Sequence, residues 1–442
     1  MKNNLEINLI NQRKIFKRAT LFLRNKNNKR YDSSLNYLDS VEKNPGYGLI
    51  QFWNKGIVKI PIFFFLVLKD FLLSFYEFKF IQINKFKKKK YQNIIISWSR
   101  INNFEKNGSF NDPYFNTNSN LSKDCIWFLI HMDNKIPNKI SDNIIIIKKG
   151  SGIFNYKKFI FFLLDIKNLT TKIISTIHAQ SHQTIIAYAI FDKFKHLLKI
   201  NLNKIIMPYE GQPFQNLIIK KTEEFYKNIT TIGFVHNYLP ALPTSLIYRN
   251  GSPKKIIVSN INHKYFFNKY LFWSKKNILM KESARFVDKK KEMSGKIFLP
   301  GYINSINFII KNLEFLLLNY SSFNIQDFEV KNHPQKLKSE FHIYATNKIN
   351  ELLKRKSNKN NINKDKVSIF IGSTGAIIEA LEYGCSAIHI VEDPVLQIYS
   401  QFLYPNIKTK IINNNIYYYY LIGSKKLINL GKKNLTFRSY LK

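Results

Sequence analysis

Apolar runs of strand length alternate with longer helical patterns along most of this 442-residue chain. In the first half, the segments that predict β-strands are residues 91–99, 125–132, 143–149, 204–210, 230–237 and 255–260. Residues 156–200 are predicted to be mainly helical, with a strand near Thr176. Another helix is predicted from Pro213 to about Tyr226. Short apolar strands between helices are typical of parallel sheets with crossover connections.

The pattern breaks at the polar, charged segment DKKKEMSGK, which predicts an interdomain linker. The elements predicted after it are a strand at 297–303, a helix to about residue 318, a strand and turn at 328–334, a helix that fades into a polar loop at 347–366, and the unit at 367–390. We therefore predict an α/β fold with two doubly wound, Rossmann-type domains that face a cleft. The predicted divisions are an irregular basic N-terminal region (1–90), a first α/β domain (91–287), the linker (288–296), and a second α/β domain with a tail (297–442).

The stretch VSIFIGSTGAIIEALEYGCSAIHI, residues 367–390, carries the most specific signal. Its first five residues predict a buried strand, the next four, Gly372-Ser373-Thr374-Gly375, a tight turn, and the following eight a helix. Backbone N–H groups, two hydroxyls and the positive end of the helix dipole would converge there, which favours a bound phosphate. The alternative for Ser373 and Thr374 is simple helix capping. Glu379, one turn into the helix, is a candidate ribose contact or an ordinary surface residue.

Two further motifs follow predicted strands. Glu210 ends the strand KIIMPYE and precedes Gly211, so a carboxylate would lie at the mouth of the sheet, where it could act as a general base. The alternative is a Glu that caps or stabilises the helix opened by Pro213. His333-Pro334 follows another strand, and its imidazole could donate to a phosphate or a leaving oxygen.

Other residues are weaker candidates for contact with a substrate. Gln212 follows Gly211, His236 ends the strand TTIGFVHN, and Arg249 follows a loop with two prolines, where it could meet an acidic acceptor or lie solvated. His178 and His182 are spaced i, i+4 but lack an HExxH motif and an evident third ligand, so we expect no metal site.

The composition of the chain indicates which kinds of partner it could bind. The chain has 69 Lys and Arg against 29 Asp and Glu, a formal charge of +40, which suits an acidic partner unless it reflects compositional drift. Lys69 and Asp70 divide the apolar stretch 60–80, so we expect a buried or membrane-surface helix there rather than a spanning one. The basic cluster 85–90 suits anionic lipid. Two isolated cysteines and the absence of a signal-peptide pattern predict a cytoplasmic protein, with peripheral contact to the inner face of the membrane left open.

Taken in order, Glu210-Gly211, His333-Pro334 and Ser373-Thr374 resemble the motif set of GT-B bacterial sialyltransferases and of Kdo and capsule-polysaccharide transferases. The stretches YEGQPFQ and FVHNYLPALPTSLIYRNGSP also resemble surface-carbohydrate biosynthesis proteins. The resemblance covers about residues 200–395. It implies a GT-B fold with an acceptor domain before the linker and a donor domain after it. The sialyltransferase motif has two acidic positions before Gly, whereas Tyr209 occupies the first of them here.

Carried onto this chain, the resemblance implies that Glu210 is the base on the acceptor hydroxyl. It implies that His333 contacts the donor phosphate, and that the Gly372–Gly375 turn holds it. We expect a metal-independent glycosyltransferase without a cofactor, which moves a sialic-acid-like or Kdo-like sugar from a CMP-linked donor to a surface glycan or glycolipid. A GT-B transferase that uses a UDP-sugar or CDP-alditol, a basic nucleic-acid-binding protein and a catalytically inactive carbohydrate-binding relative are the alternatives. No nucleic acid is expected, because no recognised nucleic-acid-binding signature is present.

Overall fold

The computed structural model describes residues 75–83, 91–164, 202–287, 292–355 and 366–442, with gaps at 123, 239, 321–322, 395, 400, 402, 424–425 and 433, and a few scattered positions elsewhere. The strands are β1 (Tyr76–Ile83), β2 (Asn93–Ser99), β3 (Asn111–Asp112), β4 (Thr117–Asn118), β5 (Cys125–His131), β6 (Ile144–Phe154), β7 (Lys204–Pro208), β8 (Thr230–Phe234), β9 (Lys255–Val258), β10 (Ile278–Met280), β11 (Ser283–Val287), β12 (Lys296–Phe298), β13 (Glu329–Lys331), β14 (Val367–Ile371), β15 (Ser386–Ile390), β16 (Ile407–Asn413), β17 (Ile416–Leu421) and β18 (Leu430–Gly431). The helices are α1 (Tyr156–Leu164), α2 (Pro213–Phe225), α3 (Ile261–Lys269), α4 (Ile306–Asn319), α5 (Glu340–Arg355), α6 (Ala376–Glu382) and α7 (Leu435–Leu441).

The first lobe is built on an eight-stranded sheet in the order β1-β6-β5-β2-β7-β8-β9-β10. All neighbouring strands are parallel except β1 and β6. The consecutive isoleucines Ile94, Ile95 and Ile96 in β2 are all buried, as expected for a parallel strand covered on both faces. The order β6-β5-β2-β7-β8-β9 is doubly wound, and its direction reverses between β2 and β7, where such sheets bind ligands.

The second lobe is built on a six-stranded sheet in the order β13-β12-β14-β15-β17-β16. Its first four strands are parallel, and the hairpin β16–β17 adds an antiparallel edge. The winding direction reverses between β12 and β14. The structure therefore confirms the predicted α/β class with two doubly wound units, each with a switch point at the carboxyl ends of its central strands.

One apolar core extends across both lobes. The largest buried cluster joins Phe266 and Phe267 of α3 in the first lobe to Leu396, Leu403 and other residues of the segment that follows β15. A second cluster lies within the second lobe, and a third within the first lobe includes Phe437 and Tyr440 of α7. The tail therefore returns to the first sheet, which the sequence pattern did not indicate.

The predicted helix over 60–80 is wrong at its end, because residues 76–80 belong to β1, which pairs antiparallel with β6. Most of the rest of 1–90, and the predicted strand near Thr176, lie outside the described residues. Among the described residues, no helix is both long enough and apolar enough to cross a bilayer.

Candidate functional site

Glu210 lies at the switch point of the first sheet, two residues beyond the end of β7. Its carboxylate is held by side chains from two loops. The amide of Asn237 donates to Oε1 at 2.6 Å, and the amide of Gln212 donates to Oε2 at 2.7 Å. His236 Nε2 is 3.4 Å from Oε1. The side chain remains 25% exposed, so the oriented carboxylate also reaches solvent.

Helix capping, the alternative for Glu210, is performed by other residues. Gln212 is the N-cap of α2. The side-chain Oε1 of Gln215, at the third helical position, accepts a hydrogen bond from the backbone N–H of Gln212. Tyr209, which replaces an acidic residue of the resembled motif, is fully buried, and its hydroxyl donates to Asn216 Oδ1 at 2.7 Å. The segment thus buries Tyr209 and presents Glu210.

Gly211 permits this arrangement. Its φ is +70°, in the left-handed region that favours glycine, and an added Cβ would lie 2.1 Å from the carbonyl oxygen of Ser245. Any side chain here would force apart the loop that follows β7 and the loop that contains Ser245. Because Gln212 is the next residue, the contacts of Glu210 depend on this close approach.

His236 lies under the carboxylate and is only 5% exposed. Its ring packs edge-on against Tyr114, with ring centroids 4.8 Å apart. Within the described part of the chain, Nδ1 is buried without a hydrogen-bond partner. A bare ring nitrogen is less costly to bury than an unpaired N–H, so the favoured tautomer carries its proton on Nε2, facing Glu210.

The second site region lies at the switch point of the second sheet, where the loops after β12 and β14 meet. We call residues Gly372–Gly375 the hydroxyl turn. Gly372 has φ +66°, and an added Cβ would lie 3.5 Å from Pro300 in the neighbouring loop. Helix α6 follows the turn but has only seven residues, so its dipole adds little to the predicted phosphate site.

The backbone of the hydroxyl turn is open to an anion. Within the described residues, the N–H groups of Ser373, Thr374 and Gly375 have no hydrogen-bond acceptor. The hydroxyl oxygen of Thr374 accepts the N–H of Ala376 at 3.2 Å at the start of α6, whereas the N-cap residue of this helix is Gly375. Successive outward backbone amides form the concave anion sites found in many phosphate-binding proteins.

His333 lies against the loop after β12, whose Pro300 packs near Gly372 of the hydroxyl turn. An added Cβ on Gly301, in the loop after β12, would be 3.6 Å from the His333 ring, which is an ordinary van der Waals separation, so the imidazole packs next to this loop. Pro334 opens a short 3-10 turn immediately after it. Burial lowers the pKa of His333, and nearby cations, Arg285 foremost, lower it further. The imidazole is therefore neutral near pH 7.

The two regions meet where the lobes are in contact. The N–H and the carbonyl oxygen of Tyr238, which follows Asn237, lie 3.6 and 3.7 Å from the position of a Cβ on Gly375. Burial raises the pKa of Tyr114 and Tyr238 in the first lobe, and the charge of Arg285, an exposed residue of β11, partly opposes that rise; burial lowers the pKa of His333 in the second lobe, and Arg285 adds to that fall. Among these three residues, Tyr114 also responds to the charge of Glu210. Arg285 is therefore a cation near the lobe contact, and no sequence pattern pointed to it.

Glu379 is half-buried on α6, and it adds the smallest contribution to the pKa of Tyr238 at the lobe contact, which is raised mainly by burial. Its predicted contact with a ribose stays a prediction.

Arg249 is in a different place from the one expected. It is 6% exposed, and its guanidinium donates to the carbonyl oxygens of Ser245 and Ile247 at 2.6 and 2.9 Å. A guanidinium buried among backbone carbonyls stabilises its own loop, so the suggested contact with an acceptor is wrong. Arg249 does support the site, because Ser245 is the residue that packs against Gly211.

Buried histidines anchor both loops of the second switch point, and sequence reasoning missed them. His389 Nε2 is 2.6 Å from the carbonyl oxygen of Gly372, and His342 Nε2 is 2.9 Å from that of Pro300. A carbonyl only accepts, so both Nε2 atoms carry protons. Glu392 after β15 bonds Asn304 after β12 at the same edge. These partners are distant in sequence, and a single chain offered no signal for them.

Groups of three or more possible metal-ligating side chains are absent from the described residues, and His178 and His182 lie outside them. No family profile and no curated protein sequence matches the chain. A solved structure similar to it is that of a glycosyltransferase from Rickettsia africae. The two share 13% identity over 72% of this chain and 88% of the other, with a TM-score of 0.32. The function proposed below rests on the site residues themselves.

Proposed function

We propose that this chain is a glycosyltransferase of GT-B type that uses a nucleotide-linked sugar donor. One observation carries the proposal: a carboxylate held by Gln212 and Asn237 at one switch point lies across the lobe contact from a turn with three unpaired amides at the other. Transfer from a nucleotide sugar needs a neutralised phosphate leaving group, a positioned acceptor and a base. The amides of the hydroxyl turn would neutralise the phosphate, and Glu210 would be the base.

The residues take distinct roles in this reaction. Glu210 accepts the proton of the acceptor hydroxyl as its oxygen attacks the anomeric carbon. The bond from that carbon to the phosphate oxygen then breaks, and the nucleotide leaves with the bonding pair. The hydroxyl turn, through the amides of Ser373, Thr374 and Gly375, stabilises the phosphate charge, and His333 donates a hydrogen bond to it.

We propose a CMP-linked donor with a sialic-acid-like or Kdo-like sugar, and an acceptor in a surface glycan or glycolipid. The motif set Glu210-Gly211, His333-Pro334 and Ser373-Thr374 supports this choice over a UDP-sugar or CDP-alditol. The cation Arg285 near the lobe contact is compatible with it, since both proposed sugars carry a carboxylate that a guanidinium binds well.

Isothermal titration with CMP, CDP and UDP tests the nucleotide. We expect CMP to bind most tightly; preferential binding of UDP would reject the CMP assignment.

Release of CMP from CMP-sialic acid or CMP-Kdo tests the base, with water as acceptor. Glu210→Gln should slow release by about 100-fold or more, as for removal of a general base, and should leave CMP affinity almost unchanged. Glu224→Gln is the matched control, because this carboxylate lies on α2 with Lys220 and Lys221 as partners. Equal turnover in all three proteins would exclude Glu210 as the base.

We also propose that the protein contacts an anionic membrane surface. Helix α1 supports this location. Phe159 anchors the helix against Phe75 and Phe154, whereas Tyr156 and Phe161 are each 71% exposed beside the exposed Lys157. Exposed aromatic and cationic side chains on one short helix are typical of interfacial segments.

A further inference from the structure

The hydroxyl of Tyr399 joins the two lobes at the candidate site. Tyr399 is fully buried in the segment between β15 and β16. Its hydroxyl oxygen lies 2.9 Å from the carbonyl oxygen of Thr374 in the hydroxyl turn and 2.9 Å from that of Tyr238 in the first lobe. Both carbonyls only accept, and a phenol has one proton. The two lobes therefore share one hydrogen-bond donor.

A second buried group holds the start of the same turn. His389 Nε2–H donates to the carbonyl of Gly372 at 2.6 Å, so Nδ1, 3.3 Å from the hydroxyl of Tyr419, is the acceptor of that hydroxyl's proton. Burial lowers the pKa of His389 to about 4, which agrees with a neutral ring. The Tyr419 oxygen in turn lies 3.4 Å from the backbone N–H of Tyr399. Both anchors of the turn thus belong to one buried network.

These anchors set the direction of the turn's amides. The described peptide bonds are all trans, so each N–H points opposite to the carbonyl of the preceding residue. The carbonyls of Gly372 and Thr374 face His389 and Tyr399 inside the protein. The N–H groups of Ser373 and Gly375 therefore point away from these anchors, on the side where an anion can approach.

The first-lobe end of this connection leads to Glu210. Tyr238 follows Asn237, whose amide donates to Glu210 Oε1 at 2.6 Å. A change at the Tyr238 carbonyl thus acts on the backbone that places a direct partner of the carboxylate.

We propose that Tyr399 is a positioning residue that couples the hydroxyl turn to the loop holding Glu210. The bound phosphate and the carboxylate are thereby kept in one geometry. The identity of the anion rests on the proposed function, whereas the coupling itself can be measured without a ligand.

Tyr399→Phe removes the shared hydroxyl and keeps the ring. Tyr404→Phe is the matched control, since Tyr404 is also fully buried, lies in the same segment, and makes a 3.2 Å hydrogen bond across the lobes to His263. Hydrogen exchange of the ligand-free protein should become faster in Tyr399→Phe at the hydrogen-bonded amides of two segments together: those of Gly372 and Ala376 in the turn segment, and that of Val235 in the first-lobe segment before Tyr238. In Tyr404→Phe the turn segment should keep the wild-type rate, because His263, the partner of the Tyr404 hydroxyl, packs against Tyr238 in the first lobe. Exchange that changes in one segment alone, in neither, or equally in both variants would overturn the coupling.

Titration with CMP gives the functional readout. Loss of one buried hydrogen bond that orients the turn should weaken CMP binding about fivefold to tenfold in Tyr399→Phe and less than about twofold in Tyr404→Phe. If the wild-type protein binds no CMP, the proposed function fails, while the exchange comparison still decides the coupling. If wild type and Tyr399→Phe bind CMP equally, the positioning role is rejected.

Discussion

Gly211 is the residue at which the backbone constrains the candidate site most tightly. We expect Gly211→Ala to destabilise the protein by more than about 2 kcal/mol, because a side chain there adds a collision with the Ser245 carbonyl to the strain of a positive φ. Gly295→Ala is the matched control: its φ is +68°, and an added Cβ would have no atom within 4 Å. That substitution should cost about 1 kcal/mol. Equal losses in thermal or urea unfolding would contradict the clash.

His333 should link nucleotide binding to pH. Its pKa is lowered in the ligand-free protein, so the ring is neutral near pH 7. A bound phosphate favours the imidazolium and raises that pKa, so binding takes up a proton and this contribution to affinity grows as pH falls. Below the lowered pKa the ring is already protonated, and the gain stops. Calorimetric titration of CMP in two buffers with different ionisation enthalpies measures the uptake.

His333→Gln is the comparison for this measurement, because CMP's own phosphate also titrates near pH 6. The variant keeps the phosphate's titration and loses that of the imidazole. We expect its proton uptake to be smaller than that of the wild type at every pH between 6 and 8. Identical uptake would place His333 away from the phosphate.

Among the candidate site residues, the sequence pointed to those that combine a chemical group with a local signal. Glu210 follows a strand and precedes a glycine, and the hydroxyl turn lies between a strand and a helix. Asn237, Arg285 and His389 had no such signal, because their roles depend on contacts across a sheet or between lobes. Arg249 had two interpretations, a contact with an acidic acceptor or a solvated loop residue, and it is instead buried against backbone carbonyls.

Most elements were predictable because buried parallel strands consist mainly of apolar residues, as in β2, β5 and β14. The hairpin β16–β17 remained unassigned. Its strand IYYYYL has the residues that favour β-structure, and asparagines form the turn, but an Asn- and Tyr-rich composition concealed the period-two pattern. At β1, a long apolar run suggested a helix, whereas the segment forms a strand because it pairs with the distant β6.

Helix α1 supplies the prediction about membranes. Phe161→Glu combined with Leu164→Glu places two carboxylates on the exposed face of α1, where these residues are 71% and 69% exposed. We expect binding to vesicles of anionic phospholipid to fall about fivefold or more, because the apolar anchor is lost and like charges repel. Leu318→Glu on α4 is the control, as Leu318 is 68% exposed in the second lobe. Equal sedimentation of wild type and double variant with these vesicles would reject α1 as the contact.

At the scale of the whole molecule, the lobes are joined more extensively than a linker between two domains would suggest. The segment after β15 packs on α3, and the chain then crosses back to the first sheet. There, Phe437 of α7 packs against Phe115 and Trp127, and the amine of Lys204 donates to the carbonyl of Leu441 at 2.6 Å. Relative motion of domains is the default only where the interface is small and polar.

We therefore expect the described lobes to unfold in a single cooperative transition, because the largest apolar cluster has members in both. Three substitutions test this: Leu129→Ala in the first-lobe cluster, Leu313→Ala in the second-lobe cluster and Leu403→Ala in the shared cluster. Each removes a side chain that is at most 2% exposed and should cost about 2–5 kcal/mol. In scanning calorimetry all three should lower the same transition. Two resolved transitions, with Leu129→Ala moving one and Leu313→Ala the other, would show that the lobes fold independently despite their shared core.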